Sequence, residues 1–121
     1  MTNYETGHMA EQVAAEYVQK HGYDVVELNW RHARAEIDII ARKKLGWRRY
    51  GPLIFFEVKH RKTDNQGRGL DYITPKKLEQ MRFAAELYVS LQRYNGKYTL
   101  GGIELSGSDY HITQVLDTIM A

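Results

Sequence analysis

Apolar residues recur at Met9, Val13, Ala14, Tyr17 and Val18, a helical spacing that predicts an amphipathic helix ending near Gly22. The residues ahead of it, Thr2-Asn3-Tyr4-Glu5, have the spacing of a capping box. β-forming residues then fill Tyr23 to Trp30, a predicted strand, followed by a polar turn from Arg31 to Arg34 and a second strand from Glu36 to Ala41. Leu53 to Arg61 predicts a third strand. Its leading run, Leu53-Ile54-Phe55-Phe56, is apolar at every position, which predicts burial on both faces. Arg42 to Pro52 is expected to be a basic loop closed by Gly51-Pro52.

The stretch from Thr63 to Asp71 carries Gly67 and Gly69 and little apolar surface, so it reads as an irregular connection. Thr74 suits a helix N-cap and Pro75 the first helical position, with Leu78, Met81, Ala85 and Tyr88 as the packing stripe and Asn95-Gly96 as the stop. Tyr98 to Leu105 and Tyr110 to Leu116 predict two more strands around a Ser106-Gly107-Ser108-Asp109 turn. The order is α-β-β-β-α-β-β. A strand-helix-strand crossover favours parallel pairing in the middle, and the opening meander favours antiparallel pairing. The expected architecture is therefore α/β, a central mixed five-stranded sheet flanked by helices, forming one domain over residues 1–121.

Composition narrows the function classes. The chain has no cysteine, which excludes disulfides, thiolate metal sites and a cysteine nucleophile and suits a reducing compartment. No stretch reaches a membrane span and no signal-peptide pattern opens the chain, so a cytoplasmic protein is expected. The formal net charge of +2 hides a segregation: Arg42 to Lys77 holds eleven Lys/Arg against three Asp/Glu. Arg42, Lys43, Lys44, Arg48 and Arg49, with Trp47 and Tyr50 among them, suit phosphate contacts and base stacking; a solvated basic loop is the duller reading.

The candidate chemistry lies in two strands. Asp38 sits within Ile37-Asp38-Ile39-Ile40, and Glu57 and Lys59 share one face of the third strand, about 6 to 7 Å apart, with Val58 opposite. Charges in such apolar runs are costly unless they pair with one another or bind a cation. A hard divalent ion, Mg²⁺ or Mn²⁺, takes oxygen ligands, here Asp38, Glu57 and the Val58 main-chain carbonyl, and serves phosphodiester hydrolysis by polarising phosphate and water. Lys59 would orient or activate the water or stabilise charge at the phosphorus. Glu11, at the border of the first helix's apolar face, is a further acidic candidate, and Glu36 shares the parity of Asp38. A sheet-surface ion pair is the competing structural reading.

Taken in order, Gly7-x-x-Ala10-Glu11, Gly22-Tyr23, Asn29-Trp30-Arg31, Glu36-Ile37-Asp38-Ile39-Ile40-Ala41, Phe56-Glu57-Val58-Lys59-x-Arg61 and Ile73-Thr74-x-x-Lys77 resemble the YraN-like family. That family belongs to the restriction-endonuclease-like, or PD-(D/E)xK, superfamily, together with archaeal Holliday junction resolvases. The resemblance runs from Gly7 to about Leu91. It implies a restriction-endonuclease-like fold with Asp38, Glu57 and Lys59 at the central catalytic positions and Glu11 at the helix-borne acidic one. The chain departs from the family pattern at Ala10 and Ala35, where glycine is usual, and in its longer, more basic Arg42 to Pro52 segment. Thr99-Leu100-Gly101 also replaces a family Arg-Phe-Asp.

Other residues add less. The five histidines are scattered, and His60 should face away from Lys59 in a packing or hydrogen-bonding role. Arg61 has the parity of Glu57 and could meet a phosphate or an acidic neighbour, while Lys76 and Lys77 open a helix whose N-terminus favours anions. The expectation is a metal-dependent endonuclease on nucleic acid, DNA above RNA and branched or flapped DNA by analogy, acting as a homodimer. The alternative is a non-catalytic nucleic-acid-binding or scaffold protein with a vestigial nuclease core.

Overall fold

A computed structural model describes residues 3–63 and 72–119, without the side chains of residues 3–6. The capping box, which needs Thr2 and the Glu5 side chain, and the connection after Thr63 with Gly67 and Gly69 lie outside what the structure describes. Helix α1 (Asn3–Lys20) is followed by strands β1 (Tyr23–His32), β2 (Ala35–Gly46) and β3 (Arg49–Arg61), helix α2 (Pro75–Leu91), and strands β4 (Tyr98–Ser106) and β5 (His111–Leu116). The five strands form one sheet in sequence order. β1, β2 and β3 pair antiparallel, β3 and β4 parallel across the α2 crossover, and β4 and β5 antiparallel. The expected mixed α/β sheet is what forms, in the restriction-endonuclease-like arrangement.

A helix covers each face. On one, Ala10, Ala14, Ala15 and Val18 of α1 pack on Ile39, Ala41, Ile54, Phe56, Ile103 and Leu105. The alanines keep the helix close to the sheet, and Ala10, at a position where family glycine is usual, contributes its methyl to this core at 2% exposure. On the other face Met81, Ala84, Ala85 and Tyr88 of α2 cover Ile40, Leu53, Phe55 and Leu100. Ala35 is buried in this second layer. Leu53 to Phe56, predicted to be buried on both faces, feeds the two cores alternately. Among the described residues no helix is long and apolar enough to cross a membrane.

One expectation needs correction. Arg42 to Pro52 is not a loop but the end of a β-hairpin, with β2 running to Gly46 and β3 starting at Arg49. Gly51-Pro52 reads as loop punctuation in sequence, yet it falls at a register shift between the Arg42↔Leu53 and Lys44↔Tyr50 pairs. A bulge accepts a residue that lacks an amide hydrogen without ending the strand. Elsewhere the differences are at element ends: β1 extends to His32 and leaves the turn to Ala33 and Arg34, and α2 stops at Leu91, before Asn95-Gly96. Thr74 caps α2 as expected, its side chain accepting from the Lys77 amide at 3.2 Å, with Pro75 in the first turn.

Candidate functional site

The site begins where the middle of the sheet divides. β2 and β3 are paired from Gly46↔Arg49 as far as Ile39↔Phe56. Beyond that point β2 stays paired to β1, down to His32↔Ala35, while β3 stays paired to β4, out to Arg61↔Ser106. Asp38 stands in this fork. Its Oδ2 accepts from the Val58 amide at 2.8 Å, so a carboxylate takes a donor that a continuous ladder would give to main chain. Side-chain alternation breaks here too, because Ile39 packs beneath α1 while Ile37, of the same parity, packs beneath α2. In β1 the residue opposite Asp38 is Asn29, with φ of 51°, a left-handed conformation that asparagine tolerates better than most residues.

Two further carboxylates approach Asp38 from opposite layers. Glu57 follows Phe55 on the α2 face of β3 and meets Lys77 Nζ at 3.1 Å. With Arg34, Glu36, Lys76 and Lys77 it lines an open groove of about 500 Å³ between the sheet and α2. Glu11 comes from α1, with Asp38 and Asn29 beside its carboxyl. Burial pushes the Glu11 carboxyl up to about 7, reinforced by Asp38 and opposed by Asn29. Burial likewise raises Glu57 to about 7, with Asp38 adding to it and Lys77 pulling back. Asp38 is raised by burial against the opposing effect of the Val58 amide. Tyr72, before α2, extends its hydroxyl towards the Glu57 carbonyl at 3.5 Å and is itself raised by burial and by Glu57.

The donor set suits a hard divalent cation in kind, since it offers only oxygen and its negative charges crowd one another in a half-buried place. Asp38 is the shared member, flanked by Glu57 and the Val58 main chain on one side and Glu11 on the other. Among the described residues no three acidic or histidine side chains close on a single point, and Glu57 leans instead on Lys77. Lys59 lies on the Glu57 face of β3 and is exposed.

The basic candidates separate into three places. Arg42 is held by Asp24 at 2.9 Å and lies over the Tyr50 ring at 3.5 Å. Lys43, Lys44, Arg48 and Arg49 are exposed on the hairpin, at the other end of β2 and β3 from the fork. Lys76 and Lys77 line the groove, Lys77 as the ionic partner of Glu57. Arg61 turns to the buried Glu104 at 2.6 Å, whose other oxygen accepts from Thr113 at 2.8 Å, so of its two expected partners it has the acidic one. His60 faces away from Lys59, with Nε2 at 2.7 Å from the Gly107 carbonyl and its ring stacked on Tyr110.

Sequence reasoning did not single out Tyr72 or the Lys77–Glu57 pair, and it gave Asn29 no role at the site. Its sequence signals are its place in the Asn29-Trp30-Arg31 motif and its poor β-propensity in the middle of a strand.

A family model described as Uncharacterised protein family UPF0102 matches residues 10–114, which include every acidic residue of the fork. The chain belongs to the UPF0102, or YraN, family. It is 39% identical over 83 residues to a UPF0102 protein of Chlorobium phaeobacteroides, covering 69% of this chain and 61% of that one. It is also 29% identical over 119 residues to a UPF0102 protein of Flavobacterium johnsoniae, covering 93% and 92%, and 36% identical over 90 residues to one of Shewanella frigidimarina, covering 74% and 78%. The matched segment thus spans under two thirds of the Chlorobium protein and nearly all of the Flavobacterium one.

Proposed function

We propose that this UPF0102 protein is a metal-dependent nuclease that hydrolyses phosphodiesters in DNA at the β2–β3 fork. The observation that carries this reading is Asp38 held at the fork by the Val58 amide, with Glu11 from α1 and Glu57 from β3 on either side of it and both pushed up by burial and by the Asp38 charge. Burying mutually repelling carboxylates has no structural purpose that apolar residues would not serve better, whereas a divalent cation turns the repulsion into binding. Asp38, Glu57 and the Val58 carbonyl would hold the ion, with Glu11 reached through Asp38. When bound, Mg²⁺ or Mn²⁺ would supply a polarised phosphate and a more acidic water.

The chain's own groups do the remaining work. The Val58 amide fixes Asp38 in place, and Asn29 beside Glu11 favours its charged form. Lys59, exposed on the Glu57 face, orients the attacking water and stabilises negative charge at the phosphorus. Lys77 neutralises Glu57 in the metal-free protein, and once a cation takes over that role its ammonium is available to the phosphate in the groove.

The same Lys77–Glu57 pair favours a second reading, a non-catalytic nucleic-acid-binding protein, because it satisfies Glu57 without metal. Incubating end-labelled linear, flapped and four-way DNA and a structured RNA with Mn²⁺, Mg²⁺ or EDTA separates the two. Cleavage of DNA that requires metal and disappears in Glu57→Gln is the expected result. Salt-sensitive binding without product in both proteins would establish the binding module instead.

A further inference from the structure

The end of the β2–β3 hairpin has no role in the fork. The last β1 partner of β2 is reached at Tyr23↔Lys43, with the Lys44 amide bonded to the Gly22 carbonyl at 2.8 Å. β4 first meets β3 at Leu53. Beyond these contacts the two strands continue alone as a ribbon through the Trp47-Arg48 turn, projecting by about three residues, or roughly 10 Å.

Its surface is unusual on two counts. Lys43, Lys44, Arg48 and Arg49 are all exposed, and from Arg42 to Phe56 the sequence holds no acidic residue to offset them. Large apolar side chains stand among them, Trp47 at 83% exposure and Leu45 at 52%, with the Arg48 guanidinium over the Trp47 ring at 4.4 Å. The cations occupy both faces. Lys43 and Leu45 lie together on the Gly51 side of the ribbon, while Lys44 is opposite Tyr50 on the other face.

We infer that this ribbon is a duplex-DNA arm, which enters the major groove with Trp47 at its leading end. The partner follows from shape and charge. A B-form major groove is about 12 Å wide and 8.5 Å deep and admits a two-stranded ribbon, with phosphates on both walls to meet cations on both faces. The A-form groove of double-stranded RNA is too narrow for it. In that groove the exposed Trp47 ring can make apolar contact with thymine methyl groups, while Arg48 beside it meets a phosphate.

The arm also sets a distance. From Glu57 to Arg48 is nine positions along β3 and its turn, about 30 Å at the rise of an extended strand, or roughly nine base pairs of B-form DNA. This spacing rests on the fork being the site of cleavage, whereas binding by the arm does not.

The test is binding in EDTA, read by tryptophan fluorescence and by salt dependence, with a DNA duplex of about two helical turns, an RNA duplex of the same sequence, and anionic phospholipid vesicles. The proteins are wild type, Trp47→Phe, and a variant carrying Lys43→Gln, Lys44→Gln, Arg48→Gln and Arg49→Gln. DNA should change the wild-type emission much more than that of Trp47→Phe, and the charge variant should lose about three to four from the slope of log affinity against log salt. Unchanged thermal melting would show both variants to be folded. An equal response to RNA or to vesicles, or a charge variant with the wild-type salt slope, overturns the arm. Cleavage in Mn²⁺ is scored separately: no product with arm-dependent binding intact refutes the nuclease and leaves the arm standing, and cleavage with arm-independent binding does the reverse.

Discussion

At Asp38 a single side chain joins the fold to its chemistry. The carboxylate replaces a ladder acceptor for Val58 and carries a charge that Glu11 and Glu57 both oppose. Asp38→Asn keeps an oxygen for the Val58 amide and removes the charge. In metal-free buffer at pH 8 this variant should melt higher than wild type, by about 3 °C or more, while losing any stabilisation by Mg²⁺ or Mn²⁺. Calorimetric or fluorescence melting with and without metal checks it, and a lower melting point without metal would mean that the Asp38 charge is already satisfied within the chain.

Between elements, the parallel β3–β4 pair carries a buried ion pair close to the fork. Arg61 and Glu104 have side-chain exposures of 11% and 6%, and Thr113 of β5 ties the same carboxylate to the sheet edge. Arg61→Ala strands a buried anion, so it should cost about 3–5 kcal/mol in urea unfolding, far more than loss of a surface pair such as Arg31–Glu36. A cost below about 1 kcal/mol would show that water reaches Glu104 once the arginine is gone.

The element order was legible because each segment signals itself locally. Apolar alternation marks β3, Thr74-Pro75 marks the start of α2, and the crossover decides which strands are parallel. The hairpin was not legible, because a bulge that absorbs Gly51-Pro52 exists only once β2 lies alongside. The replacement at Thr99-Leu100-Gly101 gains a reason only in three dimensions. A side chain on Gly101 would meet the Phe56 ring at 2.8 Å and the Leu116 carbonyl at 2.7 Å. For the site, Asp38 and Glu57 stood out as charges in apolar runs. The pairing of Lys77 with Glu57 and the left-handed Asn29 depend on how α2 and β1 come to lie against the fork, which no spacing encodes.

For the molecule as a whole, the raised carboxyls make stability depend on pH in the direction opposite to most salt-bridged acids. Glu11 and Glu57 move from an ordinary 4.5 to about 7 on folding, so between these values the folded chain holds more protons than the unfolded one. The stability this provides is fully present below about 4.5 and is lost as pH rises through about 7. In EDTA, this pair should lower the urea midpoint from pH 5 to pH 8, and divalent metal should stabilise more at pH 8 than at pH 5.5, because protons compete for the same oxygens. A midpoint that rises over this range without metal would contradict the clustering of these acids.

That clustering is tested most directly by titrating Mn²⁺ into the wild-type protein and Asp38→Asn near pH 7 by calorimetry, in buffers of differing ionisation enthalpy. The expected result is binding to wild type with release of protons from Glu11 and Glu57, and loss of that binding in Asp38→Asn. Mn²⁺ binding that is absent from wild type, or that survives unchanged in Asp38→Asn, would contradict a metal centre at the fork.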